Sequence, residues 1–177
     1  MHQMLNTFEN LNIAPFLLSR LSELGFSTPT PIQAQAIPQA IEDKDIIGIA
    51  QTGTGKTLAY SIPLIQKLYQ TRDKALILVP TRELAYQVRD VIMPLTKEFQ
   101  LNHVVLIGGE SIRPQSMALR KPYNVLIATP QDIILNVILV PFNFLQQDTP
   151  TSLGQDYYLL IVTGAPYIEQ LLTITRC

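Results

Sequence analysis

The chain has 177 residues, 47% of them hydrophobic and 15% charged, with a formal net charge of −1 at pH 7. That length suits one domain with a real core, and the composition is the reverse of a disordered segment's. A charge so near zero excludes a globally basic nucleic-acid binder, although a local cationic patch would still suffice for such a partner.

The single cysteine, Cys177, excludes an internal disulfide framework and any cysteine-built metal site. His2 and His103 have no metal-ligand spacing. The start, Met1-His2-Gln3-Met4-Leu5-Asn6, lacks a basic region followed by an apolar run. No apolar run reaches the roughly 18 residues of a membrane span. These features predict a cytoplasmic protein with no membrane partner.

Taken in chain order, the first 130 residues alternate helix and strand. Leu17, Leu18, Leu21 and Leu24 recur at helical spacing and end at Gly25. Thr30-Pro31 reads as an N-cap and first-turn pair opening a helix through Ile32, Ala36 and Ile37. Ile46–Ala50 is a short apolar run of strand type, and helical character resumes at Leu58. Ala75–Val79, Val104–Ile107 and Val125–Ala128 are further strands, with Thr81 a cap for the helix that follows the first of them. Each strand is continuously apolar, as in a parallel sheet covered on both faces by the helices of βαβ units.

Beyond residue 130 the character changes. Residues 131–177 carry four acidic groups and one basic group, a charge of −3 against +2 for the residues before them. Ile133–Phe144 is apolar without a clear period, 148–152 reads as a loop, and Tyr157–Val162 as a fifth strand.

Between Ile46–Ala50 and the next helix stands Gln51-Thr52-Gly53-Thr54-Gly55-Lys56-Thr57. Glycines let backbone N–H groups turn inward around an anion, and a helix N-terminus adds partial positive charge. In such a loop Lys56 reaches the β- and γ-phosphates and the Thr57 hydroxyl ligates Mg2+. The first glycine of the general pattern G-x-x-x-x-G-K-[ST] is Ala50 here.

The companions of this loop carry a resemblance. Ala50–Thr57 resembles motif I of the DEAD-box helicases, in which alanine is usual at the first position. Gly25-Phe26-Ser27-Thr28-Pro29-Thr30-Pro31-Ile32-Gln33 resembles their Q motif, with Phe8 at the place of the family's upstream aromatic, 17 residues before Gly25. Pro80-Thr81-Arg82-Glu83-Leu84-Ala85 is similar to motif Ia, Gly108-Gly109 to the GG motif, and Ala128-Thr129-Pro130 to the start of motif Ib. Together they span most of residues 8–130.

The resemblance implies an α/β fold: a RecA-like P-loop parallel sheet with helices on both faces, incomplete at its C-terminal end. It divides the chain into an N-terminal extension and first helix (1–24), an ATP-binding lobe (25–130) and a divergent tail (131–177) with one further helix and strand. Its cofactors are ATP and Mg2+, the metal held through Thr57. Gln33 reads the adenine edge, which an amide can match by giving and taking one hydrogen bond. Phe26 stacks on the base, with Thr28 in the same segment, and Phe8 acts as a brace. Ala50, Gln51, Thr52, Gly53, Thr54, Gly55, Lys56 and Thr57 surround the phosphates, with Lys56 and Thr57 the catalytic members. Pro80, Thr81, Arg82, Gly108, Gly109, Thr129 and Pro130 touch the RNA backbone, which implies weak, non-sequence-specific RNA binding.

The tail departs from the family. Motif Ib continues Gln131-Asp132 in place of glycine-arginine, so a phosphate partner becomes an anion. The slot for motif II, Asp-Glu-Ala-Asp, follows Val162 and holds Thr163-Gly164-Ala165-Pro166. Neither Thr163 nor Gly164 supplies the charge that positions the metal or activates water. Motif III and the second lobe with its arginine finger are absent from these 177 residues. Three readings stay open. The chain is an ATP- and RNA-binding lobe without hydrolysis or unwinding of its own, or a non-catalytic module for RNA or a protein partner, or a decayed or frameshifted helicase fragment.

Overall fold

A computed structural model describes residues 7–131 and the strands 157–162 and 170–176. A 3-10 turn at Phe8–Leu11 precedes α1 (Pro15–Glu23), α2 (Pro31–Ile41), β1 (Ile46–Ala50) and α3 (Lys56–Thr71). There follow β2 (Lys74–Leu78), α4 (Arg82–Thr96), β3 (His103–Leu106), α5 (Ile112–Leu119), β4 (Val125–Ala128), β5 (Tyr157–Val162) and β6 (Gln170–Arg176). The strands form one sheet in the order β1-β6-β5-β2-β4-β3.

Helices lie on both faces, and the residue alternation of the strands shows how. Ala75 and Ile77 of β2 and Val125 and Ile127 of β4 join a large core with Leu17, Leu21, Ile37, Ile65, Val88 and Ile92 of α1 to α4. The intervening residues, Leu126 and Ala128 with Val104 and Leu106 of β3, form a smaller core under Ala118 and Leu119 at the end of α5. All four residues of β4 are buried for that reason. Helix α3 is buried along most of its length because it packs against α2, α4 and β2. Phe8, Leu11 and Ile13 enter the same core as α1. The Gln66 side chain of α3 fixes their segment by accepting from Ala14 N at 2.7 Å and donating to Asn12 O at 3.4 Å.

Two features differ from the sequence expectation. First, the sheet is not wholly parallel. Pairs β2–β4, β2–β5 and β3–β4 are parallel, whereas β6 runs antiparallel to both β1 and β5. Only residues 163–169 separate β5 from β6. A parallel return needs a crossover of about a dozen residues or more, so so short a link leaves the antiparallel direction. Second, β1 is not covered on both faces: Ile47 and Ile49 are 69% and 58% exposed. Strand β6, helix α5 and the turn at Phe8–Leu11 have no clear signature in the sequence. The apolar stretch Ile133–Phe144 lies outside the described residues.

These burials separate two isoleucines. Ile127→Ala removes a side chain buried on a doubly covered strand and is expected to cost about 2–5 kcal/mol. Ile47→Ala, at an exposed site, stays within about 0.5 kcal/mol. Urea denaturation of both variants measures the contrast.

Candidate nucleotide site and adjoining cleft

The phosphate loop begins where β1 ends. Residues 51–55 lead directly into α3, whose N-cap is Gly55 in a left-handed conformation, φ 86°. Gly53 is left-handed too, φ 78°. The two glycines meet different constraints. A Cβ on Gly53 would find open space, whereas one on Gly55 would run into the Gln33 amide and lie 3.4 Å from Thr30 Oγ1.

Gln33 is brought there by the start of α2. Thr30 is the N-cap, Pro31 the first residue, and Gln33 the N3 member of a capping box. Its Oε1 accepts from Thr30 N at 2.9 Å, and its Nε2 donates to Gly55 O at 3.1 Å. The side chain is 4% exposed. An amide has two donors and two acceptor sites, so after these bonds each end retains capacity toward a ligand.

Lys56 is also buried, and its Nζ donates to Ala50 O and Gln51 O. Thr54 Oγ1 donates to Gln51 O at 2.8 Å, closing the loop on itself. Thr57 is half-buried on the first turn of α3. Tyr60, one turn on, is fully buried, and burial pushes its phenol up, the Thr57 side chain opposing in part. Phe26 and Thr28 are exposed near the start of α2, as are Gln51 and Thr52. Phe8 is in the core at 4% exposure. These residues fit a nucleotide phosphate: positive-φ glycines, a 16-residue helix pointing its N-terminus into the loop, and an ammonium held at the same place. Among the described residues no three His, Cys, Asp or Glu side chains gather into a metal-binding group. A nucleotide-bound Mg2+ would be held through the Thr57 hydroxyl.

A second feature opens on the same sheet edge. A cleft of about 540 Å3 is lined by Pro80, Thr81, Arg82, Glu83, Gly108, Thr129, Pro130 and Gln131. Its walls are the loops that follow β2, β3 and β4, which parallel alignment gathers at one end. Thr81 Oγ1 caps α4 by accepting from Leu84 N at 3.2 Å. Gly109 is left-handed, φ 77°, and a Cβ there would lie 2.7 Å from Arg82 Cζ, so the guanidinium lies against its backbone. The cleft thus takes in six of the seven residues singled out around Thr81, Gly108 and Thr129, and the seventh, Gly109, lies against Arg82. It adds Glu83 and Gln131, which that reading missed. The backbone N–H of Glu83 itself, then the Thr81 hydroxyl, holds the Glu83 carboxyl below its ordinary range. Glu110, next to Gly109, accepts a hydrogen bond from Tyr86 Oη, which raises the Tyr86 phenol. The Arg89 guanidinium lies 4.8 Å from the Tyr86 ring centroid. Thr163, Gly164, Ala165 and Pro166 lie outside the described residues.

Loop and sheet together define a RecA-like α/β domain. Comparison with known proteins narrows this. Residues 30–160 match the family model described as DEAD/DEAH box helicase. The chain is 42% identical over 134 residues to the ATP-dependent rRNA helicase RRP3 of Meyerozyma guilliermondii, covering 75% of this chain and 28% of that protein. The RRP3 of Candida albicans is 44% identical over 130 residues, 72% of this chain and 24% of the relative. Among solved structures, the yeast DEAD-box splicing factor Prp28 superposes with a TM-score of 0.69 at 32% identity, over 77% of this chain and 35% of that one. The RNA helicase Prp28 of Chaetomium thermophilum bound to ADP gives the same TM-score at 34% identity. This chain belongs to the DEAD/DEAH box helicase family. It spans about a quarter of the length of the curated relatives it matches.

The two loop glycines are expected to respond unequally. Gly53→Ala meets only the left-handed backbone, a cost of roughly 1–2 kcal/mol. Gly55→Ala carries that cost and also displaces Gln33 from Gly55 O. Thermal melts are expected to rank Gly55→Ala well below Gly53→Ala.

Proposed function

We propose that residues 25–130 form an ATP-binding lobe whose neighbouring cleft takes the backbone of single-stranded RNA, and that this chain holds both without turning ATP over. The observation that carries the proposal is the pairing of the Gln33-braced phosphate loop with the cleft on one sheet edge. In the nucleotide-bound state Lys56 exchanges the carbonyls of Ala50 and Gln51 for phosphate oxygens. The Thr57 hydroxyl would hold Mg2+, which when bound would supply charge neutralisation to the phosphates. Gln33 keeps Gly55 in place while its remaining donor and acceptor meet adenine, and Phe26 covers the base. The helicase names and the ADP of the relatives agree with this assignment.

RNA contact runs through Thr81, Arg82, Gly108 and Gly109, with Pro80, Thr129 and Pro130 forming the walls. Hydroxyl, guanidinium and backbone amide groups suit phosphate and sugar, which carry no base sequence. Binding is therefore weak, indifferent to sequence and reduced by salt. Glu83 and Gln131 on the same rim add nothing cationic, which keeps the affinity low.

Absence of turnover rests on charge. Phosphoryl transfer depends on carboxylates that position metal and water. Strand β5 ends at Val162 on the same edge as β2, and the next residues are Thr163-Gly164-Ala165-Pro166.

Three measurements on the full chain test the assignment. ADP is expected to bind roughly ten-fold or more tightly than GDP, with the preference lost in Gln33→Ala. Lys56→Ala is expected to weaken either nucleotide by roughly 10–100-fold, the worth of a charge-assisted contact. RNA-stimulated phosphate release is expected at background. Lys56-dependent turnover of about one per second or faster would overturn the non-catalytic assignment.

A further inference from the structure

The RNA-facing cleft opens where a ladder ends. Strands β3 and β4 pair from His103↔Val125 to Leu106↔Ala128, and a last bond runs from Thr129 N to Leu106 O at 3.3 Å. The next residue of the β3 chain is Ile107, 3% exposed, with Gly108 of the cleft wall and left-handed Gly109 directly after it. A buried residue at this point has a peptide N–H and a carbonyl in need of partners. One side chain supplies both. Gln115 of α5, itself 8% exposed, accepts from Ile107 N at 3.1 Å through Oε1 and donates to Ile107 O at 2.9 Å through Nε2. The amide makes the two bonds that a neighbouring strand would have made.

We propose that Gln115 is a positioning residue for RNA binding: its bidentate amide sets the backbone of Ile107 and so places the Gly108 and Gly109 amides against Arg82. The inference rests on the cleft being the RNA face. Gln115 does not line the cleft, and α5 covers the sheet face opposite α3, so its loss acts on the glycine loop and leaves the phosphate loop alone. The shape of the side chain matters along with its polarity. An acceptor and a donor are needed side by side, and Gln, or a protonated Glu, provides that pair.

The test measures binding of a labelled single-stranded oligouridylate and of ADP to the full chain and to Arg82→Ala, Gln115→Met and Gln115→Glu. Gln115→Met keeps the volume and loses both bonds, so RNA affinity is expected to fall about ten-fold or more with ADP affinity unchanged within about two-fold. Gln115→Glu as a carboxylate accepts from Ile107 N but repels Ile107 O. It is expected to be impaired at pH 8 and to recover, relative to the wild-type chain, as the pH falls through the raised pKa of a buried carboxyl, about 5–7. The sign follows from protonation, which restores the donor at low pH. A folded Gln115→Met that binds RNA like the wild-type chain while Arg82→Ala is impaired overturns the inference and leaves the cleft assignment intact. Arg82→Ala binding as well as wild type, or no RNA binding by the wild-type chain, overturns the cleft assignment and the inference with it. Should Gln115→Met fail to fold, the pH series of Gln115→Glu decides. Parallel loss of RNA and ADP binding, or no recovery at low pH, would mark Gln115 as structural only.

Discussion

One kind of interaction recurs at three loops of the described chain: a buried glutamine that gives and takes one hydrogen bond with backbone. Gln33 joins Thr30 N to Gly55 O, Gln66 joins Ala14 N to Asn12 O, and Gln115 closes on both groups of Ile107. At each place the chain has left a helix or strand and has lost its regular partners. Net, a satisfied bond is worth only about 0.5–1.5 kcal/mol, but a buried group left without a partner costs about 1–3 kcal/mol. Through that asymmetry a single side chain can fix a loop that packing alone would leave free to shift. It also explains why aspartate or lysine would not serve at these sites, since each offers only acceptors or only donors when charged.

These pins operate on a framework set by strand direction. Because β2, β3, β4 and β5 run parallel, the loops that leave them emerge along one edge, and the phosphate loop leaving β1 joins them there. The phosphate loop and the cleft therefore open toward the same end of the sheet, with β6 and β5 between the strands that carry them. The antiparallel β6 does not disturb this. It enters the sheet with Gln170 paired to Ala50, so its amino end meets the same edge, and β1 and β5 on either side of it still point the same way.

Much of this was legible in the sequence because local signals and tertiary demands agree. The strand Ile46–Ala50 and the strand Tyr157–Val162 have the bounds their apolar runs give, and Thr30-Pro31 and Thr81 start helices as their capping chemistry dictates. The loop from Ala50 to Thr57 identifies itself by spacing. What was not legible depends on partners distant in the chain. Helix α5 carries Pro114 and Ser116 within eight residues, a poor helical signature, and it forms over the sheet face built by Val104, Leu106 and Leu126. The direction of β6 depends on the length of the link before it, and Gln170–Arg176 alternates apolar and polar residues too irregularly to be read as a strand alone. The exposure of Ile47 and Ile49 contradicts the simple inference from a continuous apolar run, because what covers a strand is decided by its neighbours. The pins at Gln66 and Gln115 are the clearest omission. A glutamine looks like a solvated residue in sequence, and only the fold reveals that its partners are backbone groups.

The separation of binding from turnover proposed here has a source in the same polar accounting. Lys56 Nζ rests on the carbonyls of Ala50 and Gln51. In the proposed bound state a phosphate displaces those two dipoles, an exchange favoured because an ammonium gains more from a full anion than from neutral carbonyls. Everything needed for that exchange is local to 50–57 and to Gln33. On the same proposal catalysis needs something that residues 50–57 and Gln33 do not supply, namely negative charge facing the phosphates across the metal. Such charge would have to come from the end of another strand, since acids within the loop itself would repel the ligand. The chain that leaves β5 after Val162 reads Thr-Gly-Ala-Pro, and none of those side chains carries charge at any working pH. On that proposal, affinity for nucleotide and competence to cleave it reside in different stretches of the chain, so that loss of the second leaves the first intact.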